Sequence, residues 1–105
     1  SGTTSATFIG LTLTQEYSDK EGAVFFKKDG IGGHFEDCEI TVADTVASTD
    51  NPDPATFFSE GVADTANTSF TDVTISNPVS ANHFVGDSAS EIEATFDSGT
   101  GNTKD

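Results

Sequence analysis

The stretch Phe35-Glu36-Asp37-Cys38-Glu39-Ile40 decides how this chain is read, because its pattern occurs three times. The other two copies are Phe8-Ile9-Gly10-Leu11-Thr12-Leu13 and Phe70-Thr71-Asp72-Val73-Thr74-Ile75, so the shared form is Phe-x-x-(Leu/Cys/Val)-x-(Leu/Ile). A second signature, Ala-x-(Phe/His)-Phe, alternates with the first at Ala23-Val24-Phe25-Phe26, Ala55-Thr56-Phe57-Phe58 and Ala81-Asn82-His83-Phe84. The spacing is 27 residues from Phe8 to Phe35 and 35 from Phe35 to Phe70. Two strand-like signatures in strict alternation, at a period of about 20–35 residues, are the mark of stacked coils, none of which buries its own apolar side chains alone.

Stacking places like on like, with parallel strands ~4.8 Å apart. The expected columns are Phe8/Phe35/Phe70, Leu11/Cys38/Val73 with Ile92 as a fourth member, and Leu13/Ile40/Ile75 with Ala94 below. The second signature gives Ala23/Ala55/Ala81, Phe25/Phe57/His83 and Phe26/Phe58/Phe84. Helical periodicity is absent over any useful length. Short runs of Phe, Val, Ile and Thr predict seven strands, over 7–14, 23–28, 33–42, 56–59, 69–76, 81–85 and 91–96. The extra length of the second interval sits in a loop at 45–54, where Pro52, Pro54 and three Asx residues disfavour helix and ladder alike. The polar, Gly-containing segment 97–105 reads as a flexible tail. One domain over 1–105 is the expectation.

These residues resemble the right-handed parallel β-helix superfamily, which includes pectate-lyase-like proteins and the repeat-bearing surface adhesins. In the surface branch a Gly-Gly-Ala-Ile strand is followed by Phe-x-Asn-Cys-x-Phe. Gly22-Ala23-Val24 and Phe35-Glu36-Asp37-Cys38-Glu39-Ile40 match that form closely, Phe70 to Ile75 less so, and the first copy departs from it with Gly10 where Asn or Asp would stand. The resemblance spans 6–96 and implies an all-β, right-handed parallel β-helix solenoid of three to four coils. Seven short strands in a chain of this length also suit an immunoglobulin-like β-sandwich, which is the alternative. The two separate on strand direction, since a sandwich pairs its strands mostly antiparallel.

Composition bounds the chemistry. Eighteen Asp and Glu face four Lys and no Arg, a formal charge of −14. That charge disfavours nucleic acid and anionic membranes, and the lack of Arg removes the usual phosphate clamp. No apolar run is long enough for membrane insertion. Hydrophobic residues make up 33%, nine of them Phe, so the core must lean on Phe. Cys38, the only cysteine, shares a column with Leu11 and Val73 and reads as a small buried hydrophobe.

Several residues are candidates for a site. Asp37 and Asp72 hold one repeat position, so stacked coils bring two carboxylates together. Such a pair calls for a cation such as Ca²⁺, for a shared proton, or for a turn that Asp serves structurally. Asp50 and Asp53 in the long loop form a second oxygen-rich group. Phe26, Phe58 and Phe84 would form an outward apolar ladder able to meet a partner or a sugar ring. Outward Thr12, Glu39 and Thr74, beside Thr14, Thr41 and Ser76, form hydroxyl columns of the kind that bind ice, interrupted at Glu39. Asn67-Thr68-Ser69 is an N-glycosylation sequon. His34 and His83 sit in no metal-binding spacing. No catalytic residue is assigned and no cofactor is required, Ca²⁺ being the one ion the acids suit. The function expected is an extracellular or cell-surface structural or adhesive module that associates with itself, with neighbouring segments of its parent chain or with carbohydrate. The alternatives are a polysaccharide lyase or hydrolase-like β-helix and a Ca²⁺-binding adhesin repeat.

Overall fold

The computed structural model describes residues 4–15, 23–27, 31–43, 55–59, 61–62, 64–78 and 83–105. The described chain is largely β, with one short helix. Its strands are β1 (Thr4–Ile9), β2 (Thr12–Gln15), β3 (Ala23–Lys27), β4 (Ile31–Glu36), β5 (Glu39–Val42), β6 (Ala55–Ser59), β7 (Thr68–Thr71), β8 (Thr74–Ser76), β9 (Phe84–Gly86) and β10 (Thr103–Lys104). A 3₁₀ turn, Thr65–Asn67, precedes β7, and α1 (Ala89–Ser98) lies between β9 and β10.

The strands form three sheets, ordered β1-β4-β7, β2-β5-β8-β10 and β3-β6-β9. Every strand pairing is parallel. The chain therefore visits the first, second and third sheets in turn, three times over. Parallel pairing throughout overturns the immunoglobulin-like alternative, which needs antiparallel neighbours.

Three of the seven expected strands are each two strands in different sheets. The chain turns between them at Gly10, Asp37 and Asp72, whose φ values are 67°, 54° and 54°. A left-handed residue ends a strand, and only Gly, Asp and Asn adopt that conformation cheaply. Gly10 is thus no departure from its column, since it meets the same backbone demand as the two aspartates. Gly101, at φ 73°, forms a fourth corner between the Thr71↔Thr100 bridge and β10.

The inward columns are in register as the signatures imply. Phe8 pairs with Phe35 and Phe35 with Phe70, Leu13 with Ile40 and Ile40 with Ile75. The rings of Phe8 and Phe35 stack at 5.2 Å and 18°, and those of Phe35 and Phe70 at 5.2 Å and 7°. Phe57, from the third sheet, meets Phe35 and Phe70 edge-on, each at 5.6 Å between centroids. Both arrangements suit the ring quadrupole. Cys38 is buried among these side chains, as its column requires.

In the third sheet, Ala23↔Ala55, Phe25↔Phe57 and Phe26↔Phe58 pair as expected, but the next layer is shifted by one. Phe57 pairs with Phe84, and Phe58 with Val85. The His83 carbonyl accepts from both Thr56 N–H (3.1 Å) and Phe57 N–H (2.9 Å). The stacked partner of Phe57 is consequently Phe84, at 5.3 Å and 9°, and not His83.

Residues 91–96 were expected as a strand and are helical. Ile92, Ala94 and Phe96 alternate like a strand, but Ile92 and Phe96 are also four apart, and on a helix they share one face. Both are buried, and Phe96 meets Phe70 at 5.3 Å and Phe84 at 5.6 Å. The helix thus covers the Phe columns at one end. Ile92 and Ala94 do not continue the aliphatic columns. Asn102 falls opposite Val73, and Lys104 pairs with Ile75. The segment read as a flexible tail therefore carries the end of α1 and all of β10.

Candidate functional site

The described surface offers four places to look: the corners, the outer faces of the sheets, the closed end, and the buried polar groups behind it.

At the corners, Asp37 and Asp72 stand in one column, both exposed. Asp37 N–H donates to Thr71 O (2.9 Å) and Asp72 N–H to Thr100 O (2.8 Å). Their backbone conformation by itself accounts for the residue type. Among the described residues, no group of three or more His, Cys, Asp and Glu side chains is close enough to hold a metal ion. The corner therefore supplies two carboxylates, against the six to eight oxygens Ca²⁺ takes. Asp50 and Asp53 lie outside the described residues.

On the outer face of the first sheet, Thr7, His34 and Ser69 are in register. His34 Nδ1 lies 2.7 Å from Ser69 Oγ, at an exposed position. His34 lies inside β4, within the strand expected over 33–42. The pairing could be found only from the register that sets Gly33 opposite Thr68. A hydroxyl bonded to an imidazole is half of a nucleophile–base pair. No carboxylate orients this ring among the described residues, so the pair serves as a polar, hydrogen-bonding patch.

The second sheet presents Thr12, Glu39, Thr74 and Thr103 in one exposed column, lengthened by β10. Thr14, Thr41 and Ser76 form the next. The Phe26/Phe58/Phe84 ladder is not formed. Phe84 is buried, and the third rung is the half-buried Val85. The side chains of Phe26 and Phe58 lie outside the described set.

Asn67 is exposed at the end of its 3₁₀ turn, and its Nδ2 donates to Asp64 Oδ2 at 2.9 Å. Thr68 Oγ1 donates to the Asp64 carbonyl at 2.7 Å, which ties the turn down beneath the sequon.

The closed end is polar where the columns beneath it are apolar. Asn102 Oδ1 accepts from Val73 N–H (2.9 Å), while its Nδ2 donates to Phe70 O (2.9 Å) and Phe96 O (3.0 Å). Lys104 Nζ reaches Glu93 and Asp97 of α1, each at 2.8 Å, and lies 5.8 Å from the ring centroids of Phe84 and Phe96. Burial opposes the Lys104 charge, but the hydrogen bonds it donates to Asp97 and Glu93, with the attraction of those carboxylates, outweigh this and raise the ammonium pKa. Sequence reasoning missed both residues because neither is apolar.

Compared with family models, curated proteins and solved structures, the chain matches none.

Behind the closed end, His83 is buried and its Nδ1 has no hydrogen-bond partner; buried Thr56 Oγ1 likewise has none. The buried His83 ring therefore carries an unmet polar atom at Nδ1. Burial lowers the His83 pKa, and Lys104 adds to this, against the opposing pull of Asp105 and Glu93. No helix among the described residues is long and apolar enough to cross a membrane.

Proposed function

We propose that this chain is a stretch of right-handed parallel β-helix that serves as a structural, stalk-like module outside the cell. The observation that carries the reading is the corner column Gly10, Asp37, Asp72 and Gly101, four left-handed residues in successive layers. Supporting it are the all-parallel pairing and the cyclic visiting of three sheets. The strongly acidic, Arg-free composition and the Thr- and Ser-bearing outer faces suit an extracellular setting and hydrogen bonding to neutral polymers. At one end α1 lies over the Phe columns, with Phe96 against Phe70 and Phe84.

A second reading is carbohydrate adhesion, favoured by the exposed Thr7/His34/Ser69 patch and the neighbouring Thr column. Titration of the full chain against a panel of neutral and acidic polysaccharides, followed for binding and for cleavage, separates the readings. A structural module neither cleaves nor saturates. Saturable binding lost in Ser69→Ala would put adhesion first. Release of reducing or unsaturated ends would overturn both.

A further inference from the structure

We propose that His83 is an acid-sensing latch for the segment 89–105: a proton on its ring loosens α1 and β10 from the layers they pack on and uncovers Phe70 and Phe84.

The ring stands where a charge is poorly received. His83 is 7% exposed, and its Nδ1 has no hydrogen-bond partner. The hydroxyl of fully buried Thr56, whose N–H donates to the His83 carbonyl, has none either. Buried polar atoms are nearly always paired. A proton would bring a charge and a further N–H donor into the same surroundings, which is costlier still. The charged groups that face the ring among the described residues all belong to the segment: Lys104 of β10, Asp105 beside it and Glu93 of α1. The neighbouring strand β6 carries no charged residue. Burial, with Lys104 adding to it, prevails over the two carboxylates and holds the ring's pKa below 6.5.

The latch meets the clamp that holds the segment together. Lys104 Nζ joins β10 to α1 through Glu93 and Asp97, each at 2.8 Å. An imidazolium beside it repels Lys104 and draws on Glu93, one of the two carboxylates that Lys104 holds. Phe84 carries the effect to the helix. It follows His83 in the chain, and its ring lies against Phe96 and 5.8 Å from Lys104 Nζ. What the clamp holds is slight. β10 is two residues long and pairs with β8 alone among the described strands. Three backbone bonds join this segment to the layer before it: Asp72 N–H to Thr100 O (2.8 Å), Thr103 N–H to Val73 O (2.9 Å) and Asp105 N–H to Ile75 O (3.1 Å). Small units held by few bonds open at a lower free energy than the whole chain. When this one opens, Phe96 leaves Phe70 and Phe84, the rings it touches.

The direction follows from the burial. With the segment open, His83 takes a proton at its ordinary 6.5; with the segment docked, only at lower pH. Acid below 6.5 therefore favours the open form, by at most about tenfold per pH unit for one proton, and the effect is absent well above 6.5.

Native-state amide exchange of the full chain, corrected for intrinsic rates, tests this at pH 7.5 and 5.5. It is read at Asp72, Thr103 and Asp105, whose N–H bonds tie the segment, and at Glu39 and Thr74, whose N–H groups donate to Leu11 and Cys38. The three segment amides are expected to be at least about 10-fold less protected than Glu39 and Thr74. At pH 5.5 they are expected to lose a further factor of about 3–10. In His83→Phe and in His83→Gln that further loss should vanish. Equal protection at all five amides at both pH values would mean that the segment opens only with the whole chain, and would overturn the latch. An absent loss would overturn it too, as would one that survives in either variant and so belongs to the carboxylates. Should neither variant fold, ring-proton NMR of the parent decides. A His83 midpoint at or above 6.5 removes the driving force and sinks the proposal, whereas a midpoint below 6.5 together with the loss at the segment amides upholds it.

Discussion

Lys104 stands in register with Ile75, at the foot of the column that Leu13 and Ile40 begin, and is its one charged member. A long aliphatic stem can continue an apolar column while the ammonium reaches out of it. Here the head meets Glu93 and Asp97 on the helix that covers the Phe columns. Lys104→Ala leaves those carboxylates without their cation and shortens the column. The expected loss is about 1–2 kcal/mol in urea unfolding. The ionic share of that loss should shrink in ~1 M salt, where exposed charges are screened.

Asp37 separates a turn from an ion site. Its φ of 54° is costly for a residue with an ordinary side chain. Asp37→Ala is expected to lose about 1 kcal/mol, whereas Asp37→Gly should match or exceed the parent. Calcium titration monitored by thermal unfolding completes the test. The turn reading predicts no calcium-dependent shift in either chain. A shift present in the parent and lost in Asp37→Gly would restore the metal.

Phe57 touches Phe35, Phe70 and Phe84, two edge-on and one stacked. Phe57→Ala should cost about 3–5 kcal/mol, a large part of the margin of a chain this size. Phe57→Leu, which keeps most of the volume, should cost about 1–2 kcal/mol. Denaturant midpoints measure both.

His83 makes stability fall with acid. Its pKa in the folded chain lies below the ordinary 6.5, chiefly through burial. Between those two values the unfolded chain takes up a proton that the folded chain refuses. The contribution is therefore complete above pH 6.5 and is lost as pH falls below it, toward the folded value. His83→Phe should flatten the fall in urea midpoint between pH 7.5 and 5.5. An unchanged slope would assign the dependence to carboxylates.

Much of this architecture could be read before any coordinates. The Phe8/Phe35/Phe70 and Leu13/Ile40/Ile75 columns follow from like residues at like places in two alternating signatures. What failed did so for local reasons. Each six-residue signature looked like one strand because a single left-handed residue leaves no trace in hydrophobic alternation. Phe84 and not His83 stands opposite Phe57, one place later than the signature implies, and with that shift the proposed outward Phe ladder is lost. Ile92, Ala94 and Phe96 satisfied a period of two and a spacing of four at once. Asn102 and Lys104 looked like tail residues because a column ends by becoming polar. Of the site candidates, Asp37 and Asp72 occupy equivalent left-handed corners, a shared place that the repeat makes visible, while the His34–Ser69 pair needed the register of β4 against β7.

The corner column also bears on how a gene for such a chain can change. A one-residue insertion between Phe35 and Ile40 would turn inward side chains outward and displace Asp37 from the only conformation its place allows. Deletion or duplication of a whole interval preserves both. Unequal crossing-over between intervals would therefore change the number of paired layers in whole steps and leave α1, Asn102 and Lys104 unaltered.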